Sequence, residues 1–185
     1  MADIGTPGAR LRELWETGCT RDQAWELFDT LPTVRVEEIT TGRWRGSELN
    51  TGHPWDGSLT EAGWYGKQFD TAENVHPLLV AGRDGRIFPL EPRRAPLALI
   101  GVLPLSVVRF TRRLLPLLRA AVRTRAPRAR LRAVDFRGKV SAAMVYDHLP
   151  MIDVFRLVDD ETLLGVMDLR GTSEPYFFIL RRDHA

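Results

Sequence analysis

Residues Leu131 to Arg182 read LRAVDFRGKVSAAMVYDHLPMIDVFRLVDDETLLGVMDLRGTSEPYFFILRR, and the period of this stretch decides the fold. Five runs rich in β-branched and aromatic residues follow one another: LRAVDFRG, KVSAAMVYD, MIDVFRLV, TLLGVMDL and PYFFILRR. They are separated by turn chemistry, clearest at Asp159-Asp160-Glu161 and Arg170-Gly171-Thr172-Ser173. Short connections between strands of this kind join antiparallel neighbours, so the stretch predicts a meander.

The same period appears earlier in the chain. Strands are predicted near Val34 to Thr40, Arg43 to Leu49, Gly63 to Phe69, Val75 to Ala81 and Arg86 to Leu90. In LLVAGRDGRIF, Gly82-Arg83-Asp84-Gly85 supplies the turn of a hairpin. Before them, TRDQAWELFDTLP reads as a helix. Thr20 and Gln23 have capping-box spacing, Ala24, Leu27, Phe28 and Leu31 share a face, and Pro32 ends the run. A shorter helix is expected around Ala9 to Trp15. About ten short sequential strands fit a mainly β protein built as an antiparallel up-and-down barrel, with an N-terminal helix and a helical cover. An open antiparallel α+β sheet is the alternative architecture. The segments are 1–33 (helical), 34–92 (first half of the barrel), 93–130 (a basic insert) and 131–185 (second half).

The net charge of +2 conceals a sorted distribution. Between Pro92 and Val134 stand 11 arginines and no acid, which leaves 15 basic and 24 acidic side chains elsewhere. Within the insert, Val107, Val108, Phe110, Leu114, Leu115, Leu117, Leu118, Ala121 and Val122 alternate with arginine, as in an amphipathic helix bent near Pro116. The partner such a block implies is an anionic membrane surface, met through Arg93 to Arg130, or the acidic remainder of the protein itself. Nucleic acid fits less well, because the arginines are interleaved with aliphatics and not with stacking aromatics. The charge-free run Ala95 to Val108 is 14 residues long and carries two internal prolines, too short to span a bilayer. The N-terminal residues lack the apolar stretch of a signal peptide, and the single cysteine, Cys19, makes no internal disulfide. A cytoplasmic protein, peripheral to the membrane where the basic insert engages lipid, is expected; a homodimer is compatible with the sequence.

Gly42-Arg43-Trp44-Arg45-Gly46 has the form GxWxG, and VDFRGKVSAAMVYDHLPMIDVFRLVDDETLLGVMD follows in the second half. Together they resemble a bacterial two-part family that joins a GXWXG domain to a C-terminal domain of unknown function. GxW on a first barrel strand is also similar to the calycin superfamily of lipocalins, fatty-acid-binding proteins and nitrobindins. That resemblance implies a Trp44 indole at the barrel floor, with Arg181 or Arg182 from the last strand lying across it.

No G-x-S-x-G elbow, P-loop or dinucleotide fingerprint is present, so most standard enzyme classes lose support. His53, His76, His148 and His184 have no metal-ligand spacing, and neither metal nor cofactor is expected. Haem at His76 or His148 is implied only by the nitrobindin likeness. On the strand Ala142 to His148, Met144, Tyr146 and His148 share one face. On the next strand Arg156 lies among Ile152, Val154 and Val158; buried there it needs Asp135, Asp147, Asp153 or a ligand anion, while on a solvated strand it needs none. Tyr65 and Lys67 add polar groups on GWYGKQF. The function expected is non-enzymatic binding or carriage of a hydrophobic or amphiphilic, lipid-like or fatty-acid-like molecule. Its tail would lie among Met144, Phe155, Leu164, Met167 and Phe178. Arg156 and Tyr146 are the leading head-group candidates, and His148, Tyr65, Lys67 and Trp44 complete the candidate set. The alternative is an enzyme acting on such a molecule, with Tyr146, Asp147 or His148 as acid or base.

Overall fold

The strand-forming runs close on themselves. In the computed structural model, which describes residues 5–82, 85–93 and 121–184, the elements are α1 (Pro7–Thr17), α2 (Arg21–Thr30), α3 (Val36–Ile39), β1 (Gly42–Glu48), α4 (Ser58–Ala62), β2 (Trp64–Phe69), β3 (Val75–Ala81), β4 (Ile87–Pro89), β5 (Ala129–Phe136), β6 (Lys139–Tyr146), β7 (Met151–Asp159), β8 (Thr162–Leu169) and β9 (Tyr176–Asp183). The sheet order is β2-β1-β9-β8-β7-β6-β5-β3-β4, and β2 also pairs with β3. Eight strands therefore form a closed up-and-down antiparallel barrel, with β4 an extra strand paired to the C-terminal end of β3. Closure satisfies edges that an open sheet would leave unpaired. The seam is thinnest between β3 and β5, where the ladder is the single pair Val75 and Ala129.

Alternation sorts side chains into two layers. Trp44, Phe69, Met144, Phe155, Leu163, Phe178 and Leu180 fill the barrel, as an eight-stranded cylinder of this diameter requires. On the outer face Val154, Leu164, Val166, Phe177 and Ile179 pack under Leu11 and Leu14 of α1 and Ala24, Leu27 and Phe28 of α2. The capping box of α2 forms as predicted, with Gln23 N donating to Thr20 Oγ1 and Thr20 N donating to Gln23 Oε1.

One predicted strand is not a strand. An isolated bridge, Thr33 to Arg156, precedes the predicted run Val34 to Thr40, which itself makes a single helical turn, α3. The ladder between β6 and β7 has only three pairs, Ala143 to Val154 through Val145 to Ile152, beyond which the strands splay. The chain at Pro32 to Val34 enters this gap: Ala142 N donates to Val34 O and Leu157 N to Pro32 O. It acts as a plug between strands, so the strand-like residues of the run meet strand-like partners without extending the sheet. The described strands accordingly number nine. The amphipathic helix expected after Pro104 lies outside the described residues. Among the described residues no helix is long and apolar enough to cross a membrane.

Candidate functional site

The GRWRG strand organises both ends of the barrel. Trp44 points inward and is buried, while Arg43 and Arg45 point outward toward the Tyr65 ring. Gly42, at φ 110°, starts the strand in a conformation that favours glycine. Gly46 also faces inward; a Cβ there would stand 2.4 Å from the Trp64 ring, so its hydrogen is what lets that indole lie across β1. Trp64 Nε1 donates to Gly66 O at 3.0 Å, and the ring meets Phe178 edge-on at 5.9 Å. The second glycine of the motif thus fixes an aromatic wall inside the barrel.

Against this wall sits a buried ion pair. Lys67 Nζ is 2.7 Å from Asp153 Oδ2 and also donates to Pro77 O at 3.2 Å; the two side chains are 3% and 2% exposed. Tyr146 Oη donates to Asp153 Oδ2 at 3.4 Å. The ammonium faces the rings of Phe178, Trp64 and Tyr146 at 4.9, 5.7 and 5.8 Å. Burial pushes the Asp153 carboxyl above its usual range, against the opposing pull of Lys67, and burial beside Asp153 pushes the Tyr146 phenol well up.

A second acid secures the cover. Glu48, at the far end of β1 from Gly42, accepts from Leu59 N at 3.1 Å, Thr60 N at 3.2 Å, the Thr60 hydroxyl and the Tyr176 hydroxyl. Two of these donors are backbone groups in the first turn of α4, which the N-cap, Gly57, leaves without a side-chain acceptor. Burial and the Glu48 charge push the Tyr176 phenol well up. Trp55 and Leu59, carried by this segment, close a pocket whose other walls include Lys67, Tyr146, Asp153, Met167 and Phe178. Its free volume is about 30 Å³, the space of roughly one water.

The structure brings Lys67 and Tyr146 together in this pocket and separates the other candidates. Met144 is buried in the barrel, directly opposite Asp153 in the β6–β7 register. Trp44 lies at the closed end, under the Arg182 guanidinium at 4.4 Å, in the arrangement the calycin likeness implies for one of the two terminal arginines. Tyr65 is on the outer surface, where its hydroxyl donates to Asp183 at 2.6 Å. His148 is exposed in the turn between β6 and β7 and does not line the pocket. Asp147 pairs with Arg130 on the surface.

Arg156 does not line the pocket, because its face of β7 is the outer one. It is fully buried under α2, with its guanidinium 4.8 Å from the Phe28 ring and Nη2 donating to Phe136 O at 3.0 Å. None of Asp135, Asp147 and Asp153 pairs with it among the described residues. Leu164 is likewise on the outer face and cannot line an interior tail site. Asp153, Glu48, Tyr176 and Trp55 complete the site beyond the residues the sequence suggests; for Asp153, an acid alternating with Met151, Phe155 and Leu157 is a usable signal for an inward carboxylate. Among the described residues no group of three or more His, Cys, Asp or Glu side chains could hold a metal ion. Three arginines of the basic block pair within the fold: Arg128 with Glu91, Arg130 with Asp147 and Arg132 with Glu73.

Residues 26–85 match the GXWXG protein family, and residues 127–182 match a domain of unknown function, DUF4334. A crystal structure of a protein from Thermomonospora curvata is 32% identical, with a TM-score of 0.70, covering 96% of this chain and 99% of that one. The chain belongs to the GXWXG–DUF4334 family. No curated protein matches it. In this GXWXG–DUF4334 protein the two matched stretches are not separate bodies: β1 to β3 come from the first and β5 to β9 from the second, and they close one barrel. The pocket is composite in the same way, with Lys67, Trp55 and Trp64 from the GXWXG part and Asp153, Tyr146 and Met167 from the DUF4334 part.

Proposed function

We propose that the barrel binds a small apolar molecule bearing one polar head, with the head at Lys67, Tyr146 and Asp153 and the apolar part against Trp64, Met167 and Phe178. The observation that supports this is the buried Lys67–Asp153 pair on an otherwise aromatic and aliphatic wall. An ion pair taken out of water stabilises a core no better than apolar residues of the same size do, so folding alone does not call for one here. A few polar groups converging in an apolar concavity are what orient an amphiphilic ligand. The same arrangement moves the expected head group from Arg156 to Lys67.

The free space of about 30 Å³ is far below the volume of a chain-bearing ligand, so binding requires the Trp55–Ala62 cover to move outward. That segment contains only the five-residue α4, and Glu48 is its main polar attachment to the barrel wall. Loading is therefore an exchange in which the ligand replaces Trp55 and Leu59 against the inner wall.

Calorimetric titration of the full chain with 1-octanol tests the reading. Saturable one-to-one binding is expected, weakened at least about tenfold when Lys67→Met and Asp153→Leu are combined, since the head then loses two of its three polar partners and keeps only Tyr146. Absence of saturable binding, or equal affinity in the double variant, would overturn it.

A further inference from the structure

The chain has 24 arginines and only two lysines, Lys67 and Lys139. Arginine is the better residue for a buried ion pair, because its planar fork meets carboxylates at two points and is weakly hydrated. Yet among the described residues the one buried cation inside the barrel is a lysine, paired with a single oxygen of Asp153. The other lysine is set against backbone, with Nζ 3.3 Å from Leu31 O at the edge of α2. A primary amine differs from a guanidinium in one chemical respect that matters here: it can become a nucleophile.

We infer that Lys67 is a reactive amine that forms a Schiff base with an apolar aldehyde or ketone held in the barrel, with Asp153 as its proton partner. The inference rests on the proposed binding of an apolar molecule at this site and names its class as a carbonyl compound. Lys67 Nζ gives two of its protons to Asp153 Oδ2 and Pro77 O, and it stands among the faces of Phe178, Trp64 and Tyr146, which exclude water. Asp153, 2.7 Å away, takes one proton and leaves a neutral amine. The nitrogen lone pair attacks the carbonyl carbon, a C–N bond forms, and the C=O π electrons pass to oxygen. Asp153 returns its proton to that oxygen, which with a second proton from nitrogen departs as water while the C=N bond forms. The product is a protonated imine with the Asp153 carboxylate as counter-ion, so charge balances and no oxidant or reductant takes part. Burial that raises the Asp153 carboxyl brings its proton affinity closer to that of the amine, which eases the first transfer. Tyr146 Oη, donating to the same carboxylate oxygen, holds Asp153 in place.

The test is reductive trapping. The full chain is incubated with octanal and cyanoborohydride, and the octyl group is located by peptide mass mapping. Lys67 is expected to label at least about tenfold faster than Lys139, with saturation in octanal, because only Lys67 has both an apolar site and a proton acceptor. Competition by 1-octanol is expected to suppress Lys67 labelling and leave Lys139 unaffected. In Lys67→Arg, which keeps the cation, the fast label disappears. If 1-octanol binds saturably but Lys67 labels no faster than Lys139, the amine chemistry is overturned and the binding reading stands. Fast labelling of Lys67 that 1-octanol does not suppress, with no saturable binding of the alcohol, overturns the binding reading and with it the carbonyl class assigned to this site.

Discussion

The guanidinium of Arg182 lies 4.4 Å from the centre of the Trp44 indole, and the two residues are direct register partners across β1 and β9. The first and last barrel strands are therefore joined by backbone and by side chain at the same point. Arg182 continues outward, with Nη1 and Nη2 near Thr41 O and Glu38 O at 3.3 and 3.4 Å, and so ties α3 over the closed end. Trp44→Ala is expected to destabilise by roughly 3 to 5 kcal/mol, because it opens a cavity that the β1–β9 junction cannot collapse into. Arg182→Met should cost about 0.5 to 2 kcal/mol. Denaturant titration measures both. A variant in which Trp44 is the single remaining tryptophan should emit at short wavelength, and solvent-like emission would count against burial.

Gly46→Ala is expected to destabilise by about 1 to 3 kcal/mol, since its methyl group would stand 2.4 Å from the Trp64 ring. Displacing Trp64 also removes the wall beside Lys67, so octanol binding should weaken together with stability. Loss of stability with unchanged binding would separate the motif from the site.

The Lys67–Asp153 pair predicts a strongly non-additive cycle. Lys67→Met or Asp153→Leu alone leaves a buried unpaired charge and should cost about 3 to 5 kcal/mol, whereas the double variant should be close to the parent or more stable. Urea unfolding of the four proteins checks this. Additive losses would show that the two residues are not coupled and would contradict a buried pair.

The two stretches that match GXWXG and DUF4334 should not fold separately. A fragment of residues 127–182 retains β5 to β9 but loses the partners of β5 and β9 and exposes the inner apolar face. It should lack a cooperative thermal transition, and regain one on mixing with residues 5–93. Cooperative melting of the isolated fragment would contradict a single shared core.

Much of this architecture was legible because strand periodicity survives wherever a strand pairs on both sides. β8 coincides with TLLGVMDL, and β9 is offset from PYFFILRR by one residue. Alternation alone could not tell inside from outside on β7, because α1 and α2 bury the outer face as thoroughly as the barrel buries the inner one. Arg156 and Asp153 therefore both read as polar residues among apolar ones, although only the aspartate faces the pocket. Lys67 and Tyr65 were equally prominent on β2, and only the barrel's curvature decides which points in. The cover was hidden for a different reason: α4 is five residues long and is held by Glu48 from another element, a contact with no local sequence signature.

The most direct measurement of the central claim uses the methionines. The chain has four, and two of them, Met151 and Met167, line the pocket, while Met144 lies deeper in the barrel and Met1 at the terminus. With methyl-labelled methionine, titration by 1-octanol should shift the Met151 and Met167 resonances along one saturating curve and leave Met1 unmoved. Unchanged Met151 and Met167 resonances, or shifts that grow linearly without saturating, would contradict a ligand site inside the barrel.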